Sequence, residues 1–372
     1  MSTTVPAETS QAEDRIAVAS NWTLVWWRFR KHRLAMASAV LLIFMYAIVL
    51  CPDFFSTQNP EVTDARQAFI PVQSLHLFDD GSFNPWVPAI VGKRNPVTLR
   101  MEWTADSSKK VKVSFFAPGP KYRVLGLFSA STYLIAAADQ TQRIFLLGSD
   151  RLGRDQYSRI MHATQTSMTV GLVAVTLSVI LGVVLGGISG YFGGKIDSVI
   201  QRLIELLQSV PTIPIWLALS AALPRDWTPI QVFFAITVIL SLVGWTTLGR
   251  EVRGRFLALR EEDFVLAANL AGCSRARIIL RHMVPTFLSH IIATSSLAIP
   301  VMIINETSLS FLGLGIRPPA ISWGVLLQEA QNIQTLALAP WLLIPGVVVI
   351  VAVLAFNLVG DGLRDAADPY SG

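Results

Sequence analysis

Six stretches of this chain carry no Asp, Glu, Lys or Arg and are each long enough to cross a bilayer as a helix: Leu34–Cys51, Ser167–Tyr191, Leu206–Leu223, Ile230–Gly249, Val284–Ile304 and Leu338–Gly360. A helix needs about 20 apolar residues to span the hydrocarbon core. With no water there to bond exposed peptide groups, a segment of this length must satisfy its backbone internally as a helix. The expected fold class is therefore an all-α polytopic membrane protein of six transmembrane helices. Composition agrees. Charged residues are 15% of the 372 and hydrophobic ones 52%, with mean hydropathy +0.51, whereas soluble domains carry about 25% charge. The net charge of +5 does not point to nucleic acid, because the basic residues flank the apolar spans, where they set topology.

Lys and Arg concentrate on one side. Arg28, Arg30, Lys31 and Arg33 precede the first span. Lys195 and Arg202 follow the second, a run from Arg250 to Arg281 follows the fourth, and Arg364 follows the sixth. The short loops on the other side hold only Arg225 and Arg317. This places both termini in the cytoplasm of a bacterial-type inner membrane. Residues 1–20 read as a disordered N-terminus and 21–51 as an uncleaved anchor helix, since no small-residue cleavage site follows. Residues 52–166 form an extracytoplasmic insert of α+β or β-rich structure, with β-like runs at Val97–Trp103 and Lys110–Phe116. It is either a structural cap or a docking surface. Residues 167–360 are a five-helix core containing a cytoplasmic loop, 250–285, and 361–372 are a cytoplasmic tail. Trp26, Trp27, Trp323 and Trp341 read as interfacial anchors.

Within the spans, Gly182, Gly186 and Gly190 recur every four residues, a spacing that lets helix backbones approach closely in lipid. Packing within the chain is favoured over a subunit interface. Pro211 and Pro214 predict a kink in the third span. Asn305 and Glu306 lie at the outer end of the fifth. An ionisable group at that depth faces a pathway or bonds locally, and both readings stand. Arg202 and Glu205 are spaced to pair on a helix surface. His290 has no second ligand at metal spacing and reads as structural.

The loop 250–285 is too long and too apolar to be a mere connection. Asp263–Gly272 reads DFVLAANLAG, placing Phe264, Ala267, Ala268 and Ala271 on one small, flat helical face. Gly272 suits a left-handed stop. Ser274 suits the cap of a second helix carrying Arg275, Arg277 and Arg281 and ending at Pro285. The loop is thus helix, glycine turn, helix.

The spacing of Ala267, Ala268, Gly272 and Pro285 resembles the EAA loop of ABC importer permeases, with Leu266 where that motif opens on Glu. Gly148-Ser149-Asp150-Arg151-Leu152-Gly153-Arg154-Asp155-Gln156-Tyr157-Ser158-Arg159 resembles a segment of the dipeptide and oligopeptide permeases. So do Glu306-Thr307-Ser308-Leu309-Ser310-Phe311-Leu312-Gly313-Leu314-Gly315 and the ending from Asn357 through Asp368-Pro369. The resemblance covers the first span and residues 145–370, and fits the permease type with an N-terminal anchor. It implies a type I ABC importer permease for short peptides. Its partners are a second homologous permease, two cytosolic ATPase subunits, an extracytoplasmic substrate-binding protein and membrane lipid. Asp263, Phe264, Ala267, Ala268, Ala271, Gly272, Ser274, Arg275, Arg277 and Pro285 would couple to the ATPases, and Asn305, Glu306, Pro211 and Pro214 would lie at the pathway. No Walker A sequence occurs. ATP and Mg are therefore expected on the partners, with no cofactor on this chain and no catalysis by it. Other cargo, such as nickel chelates or oligosaccharides, fits the same machine. An ion-coupled secondary transporter fits less well, having no paired intramembrane carboxylates to use.

Overall fold

The structure, a computed structural model, describes residues 21–367 apart from 80, 98–100, 125 and 225. Residues 1–20, Arg225 and the Asp368–Pro369 end of the C-terminal motif lie outside the described residues. In chain order the elements are α1 (Asn21–Lys31), α2 (Arg33–Leu50), α3 (Pro52–Phe55), β1 (His76–Asp79), β2 (Ser82–Arg94), β3 (Met101–Val124) and β4 (Phe128–Ala137). Then come α4 (Gln156–Phe192), α5 (Gly194–Ser209), α6 (Thr212–Ala221), α7 (Pro229–Leu259), α8 (Asp263–Leu270), α9 (Arg275–Phe311), α10 (Trp323–Glu329), α11 (Ile333–Leu338) and α12 (Ile344–Ala367).

Among the described residues five helices, α2, α4, α7, α9 and α12, are long and apolar enough to span a membrane. The expected third span is not one helix. It is the pair α5 and α6, bent by 88° at their junction. Proline explains the break. The ring of Pro211 disfavours helical torsions in the residue before it, and Val210 is extended at φ −100°, ψ 135°. Pro214 falls in the first turn of α6, where a missing N–H costs nothing. At 37 residues α4 is about 55 Å long, well beyond the hydrocarbon thickness. Its polar first turns, Gln156–Gln165, therefore stand clear of the membrane core.

α4 is the central helix, packed along α7 and flanked by α9 and α2. The glycine stripe makes the α4–α7 contact. A Cβ at Gly182 would meet Leu248, one at Gly186 the backbone of Gly249, and one at Gly190 Phe256 and the Arg253 carbonyl. At the same end Asp197 of α5 accepts from Arg253 Nε at 2.5 Å, Arg253 Nη2 at 2.6 Å and Ser189 Oγ at 2.5 Å. α2 packs through Leu42 and Met45 onto Ala352, Ala355 and Phe356 of α12.

Residues 76–137 fold as a four-stranded antiparallel meander, β1-β2-β3-β4. The two expected β-runs are not separate strands: Trp103 and Lys110–Phe116 both belong to β3, which pairs with β2 over its first half and β4 over its second. Val87 and Val113 of the sheet pack with Ala137 and Ile144. Trp323 is not an interfacial anchor. It is fully buried, its Nε1 donating to Thr164 Oγ1 at 3.3 Å. Trp26 and Trp27 are exposed, and Arg202 pairs with Glu205 at 2.8 Å.

Gly186→Leu is expected to lower the thermal unfolding midpoint of the solubilised protein, at a cost of about 1–3 kcal/mol, because backbone rather than a movable side chain occupies the space. Gly254→Ala, on the facing helix α7 with nothing within 4 Å of its Cβ, should leave the midpoint unchanged or raise it. Equal effects from the two would show that the close approach is unimportant.

Candidate functional site

The loop between α7 and α9 is ordered and built against the helix bundle. α8 spans Asp263–Leu270, two residues short of the expected stretch Asp263–Gly272. Gly272 takes φ +75°, a conformation open to glycine and costly to other residues. Its N–H donates to Asn269 O at 3.0 Å and that of Cys273 to Ala268 O at 3.1 Å, closing the helix end. Ser274 Oγ accepts from Arg277 N at 3.4 Å and starts α9. The second helix does not end at Pro285. It passes through a π-helical turn, Ile278–Met283, and a 3₁₀ turn, Val284–Phe287, and continues to Phe311. Pro285 opens that 3₁₀ segment, and its missing N–H falls where the π-helical turn gives way to the 3₁₀ turn.

The expected single face of α8 is divided. Val265 and Ala268 turn inward and pack with Val252 and Phe256 of α7 and with Ile278, Met283 and Phe287 of α9. Ala268 is therefore part of the seat of α8, not of its outer surface. Asp263, Phe264, Leu266, Ala267, Leu270 and Ala271 point outward, Leu270 at 90% exposure. Leu266 and Leu270, one turn apart, were not picked out by sequence reasoning. Their signal was the i, i+4 leucine pair. Tyr191 O–H donates to Asn269 Oδ1 at 3.3 Å, and the Arg275 guanidinium lies 5.2 Å from the Phe192 ring. Arg275 is thus engaged within the chain, while Arg277 and Arg281 stand exposed.

At the opposite end of α4 the segment Gly148–Arg159 forms a buried ionic knot. Asp150, fully buried, accepts from the N–H groups of Leu152 and Arg154, from Arg154 Nε at 2.6 Å and from Arg159. Glu329 at the end of α10 accepts from Arg154 at 2.7 Å and from Arg159 at 3.2 Å. Asp155 caps α4, taking bonds from Ser158 N at 2.8 Å, Ser158 Oγ at 2.6 Å and Thr57 Oγ1 at 2.8 Å. Burial pushes the Asp155 carboxyl up from its ordinary range, against these bonds, which pull it down. Trp341 Nε1 donates to Ser149 O at 2.9 Å. The knot ties the insert, α4, α10 and the lead-in to α12 together.

The pathway candidates separate. Glu306 is fully buried. Its carboxylate accepts from Ser167 Oγ at 2.8 Å and Ser310 Oγ at 2.7 Å, and those hydroxyls accept from the N–H groups of Trp323 (3.1 Å) and Ile316 (3.0 Å). It joins α4, α9 and the turn after α9, and opens onto no surface of this chain. Asn305 is half-buried, and Pro211 and Pro214 are exposed on the α5–α6 elbow.

Residues 182–370 match the family described as binding-protein-dependent transport system inner membrane component, and residues 20–71 match the N-terminal transmembrane domain of oligopeptide transport permease C. The oligopeptide transport system permease protein OppC of Salmonella typhimurium is 39% identical over 256 residues, covering 68% of this chain and 82% of that protein. That of Bacillus subtilis is 34% identical over 241 residues, 64% and 76% of the two chains. Among solved structures, an inward-facing methionine ABC transporter aligns at 15% identity and TM-score 0.44 over 56% of this chain and 96% of its own.

Arg159→Met is expected to destabilise the folded protein by about 3–5 kcal/mol, because it strips a buried carboxylate of its partner. Glu329→Gln, which keeps the side-chain shape and one amide oxygen to accept from the arginines, should cost less. Thermal midpoint and protease resistance in native membranes check both. A near-neutral Arg159→Met would show that Arg154 alone satisfies Asp150.

Proposed function

We infer that this chain, which belongs to the family of binding-protein-dependent transport system inner membrane components, is a membrane-spanning permease subunit of an ABC importer for peptides. The observation that carries the reading is the joint match of the transport domain and the permease C N-terminal domain on one chain. The relatives' oligopeptide cargo supports peptides here.

In this reading a second homologous permease completes the pathway, two cytosolic ATPases hold ATP and Mg, and an extracytoplasmic binding protein delivers substrate. Both termini face the cytoplasm, as the distribution of Lys and Arg supports. The sheet of residues 76–137 then caps the outer side. α8 seats in a groove on an ATPase through Phe264, Leu266, Ala267, Leu270 and Ala271. Leu266, where the EAA motif opens on Glu, enlarges the apolar part of that contact. Asp263 contributes charge at its rim, with Arg277 beside the cap residue Ser274. Ala268 and Val265 fix α8 to the bundle. Closure of the ATPases pushes on α8, and the push passes to α7 through Phe256 and to α9 through Phe287, whose rings meet edge to face at 5.8 Å. Rigid contacts of this kind repack between discrete arrangements. The elbow at Pro211 and Pro214, with Asn305, faces the pathway. Glu306 positions the outer ends of α4 and α9 from within.

Replacing Leu266 and Leu270 together by Asp should cost about 2 kcal/mol or more of subunit affinity, roughly thirtyfold. ATPase subunits should be lost on co-purification in mild detergent, together with uptake of a radiolabelled tripeptide. Gly272→Val, or deletion of Asp263–Gly272, should abolish uptake while membrane insertion persists. Uptake that survives the deletion overturns coupling through this loop.

A further inference from the structure

A cavity of about 600 Å³ opens between the inner ends of α7, α9 and α12, lined by Glu251, Arg255, His290, Thr294, Leu297 and Arg364 among others. Its charges are not balanced internally. Glu251 is committed to His290, whose Nε2 lies 3.2 Å from its carboxylate. Arg255 and Arg364 are exposed and have no hydrogen-bond or ion-pair partner among the described residues. Two guanidinium groups from different helices therefore converge on one space with a single carboxylate, Glu251, on the same wall, which leaves the lining net positive. Guanidinium presents paired donors that match phosphate oxygens.

The lining is graded. Arg255 lies beyond the charge-free run that ends at Gly249, Arg364 lies one turn past Gly360, and His290 lies six residues inside the charge-free run that starts at Val284. The two arginines thus stand at the cytoplasmic ends of their spans, where headgroups meet the bilayer. Deeper along α9 the wall becomes Ala293, Thr294 and Leu297. A cationic mouth above an apolar floor fits an amphiphile with an anionic head and a hydrocarbon tail, and fits a hydrated peptide poorly.

We propose that this cavity is a binding site for an anionic phospholipid of the inner leaflet, with Arg255 and Arg364 clamping the phosphodiester and Ala293 and Leu297 flanking the first part of an acyl chain. Basic pockets between membrane helices bind such headgroups. The lipid bridges α7 and α9, against which α8 is seated, to α12, so its occupancy holds the inner ends of these helices together.

The test uses the full transporter in nanodiscs of phosphatidylcholine alone or with one third phosphatidylglycerol. Phosphatidylglycerol should raise the unfolding midpoint of this subunit by about 2–4 °C, as a ligand of the folded state does. Arg255→Gln/Arg364→Gln should abolish the rise. Arg255→Lys/Arg364→Lys should retain part of it, separating lost charge from misfolding. Lys195→Gln/Arg250→Gln, which removes equal surface charge elsewhere, should retain all of it. Inorganic phosphate added to phosphatidylcholine nanodiscs should not reproduce the rise. A rise with phosphate alone overturns the lipid in favour of a soluble anion, and a rise with a tripeptide alone assigns the cavity to cargo. No phosphatidylglycerol effect, or an equal one in the glutamine variant, removes the site altogether. Tripeptide uptake measured in parallel keeps this outcome separate from the permease reading.

Discussion

The close approach of α4 and α7 is the contact on which the remainder of the helix bundle rests. In lipid no hydrophobic drive pushes helices together, so association depends on van der Waals fit and polar bonds. The stripe Gly182, Gly186 and Gly190 supplies the fit, setting α4 directly on the backbone of Gly249 and Arg253. The Asp197–Arg253 pair supplies the bonds at the same end. That approach also places Phe256 against Gly187 and Gly190. Phe256 in turn forms the floor under Val265 and Ala268. The position of the exposed helix α8 is therefore inherited from three missing side chains two helices away.

The opposite end of α4 is held by a different force. Four charged groups, Asp150, Arg154, Arg159 and Glu329, are drawn together largely out of water. Burial of charge repays its desolvation only with good geometry and further hydrogen bonds, and Asp150 has both. The excess length of α4 makes this possible, since it carries the knot past the hydrocarbon core. One helix thus bears an apolar, size-selected contact at one end and an ionic one at the other.

Much of this was legible in the sequence because its causes are local. Charge-free windows located the helices, Pro211 marked the break, and Gly272 with Ser274 marked the turn between two helices. The 88° size of the break was not legible, since a proline fixes where a helix stops and neighbours decide where the chain goes next. The inward turn of Ala268 was missed because four apolar positions at helical spacing do not say which of them meets the bundle. The burial of Trp323 and of Glu306 depends on Ser167 and Thr164, more than 130 positions away in the chain. The single long β3 strand escaped notice because its two halves are defined by different partners, β2 and β4.

Gly272 has one more property. Its φ of +75° and the open space around its α-carbon mean that no neighbouring atom would obstruct a side chain there. The only barrier to a side chain there is chirality, since the left-handed region is costly for L-residues and ordinary for their mirror images. A D-alanine would sit in this joint without strain, its methyl group in empty space. At the connection between the exposed helix and α9, handedness and not packing therefore selects the residue that can stand at position 272.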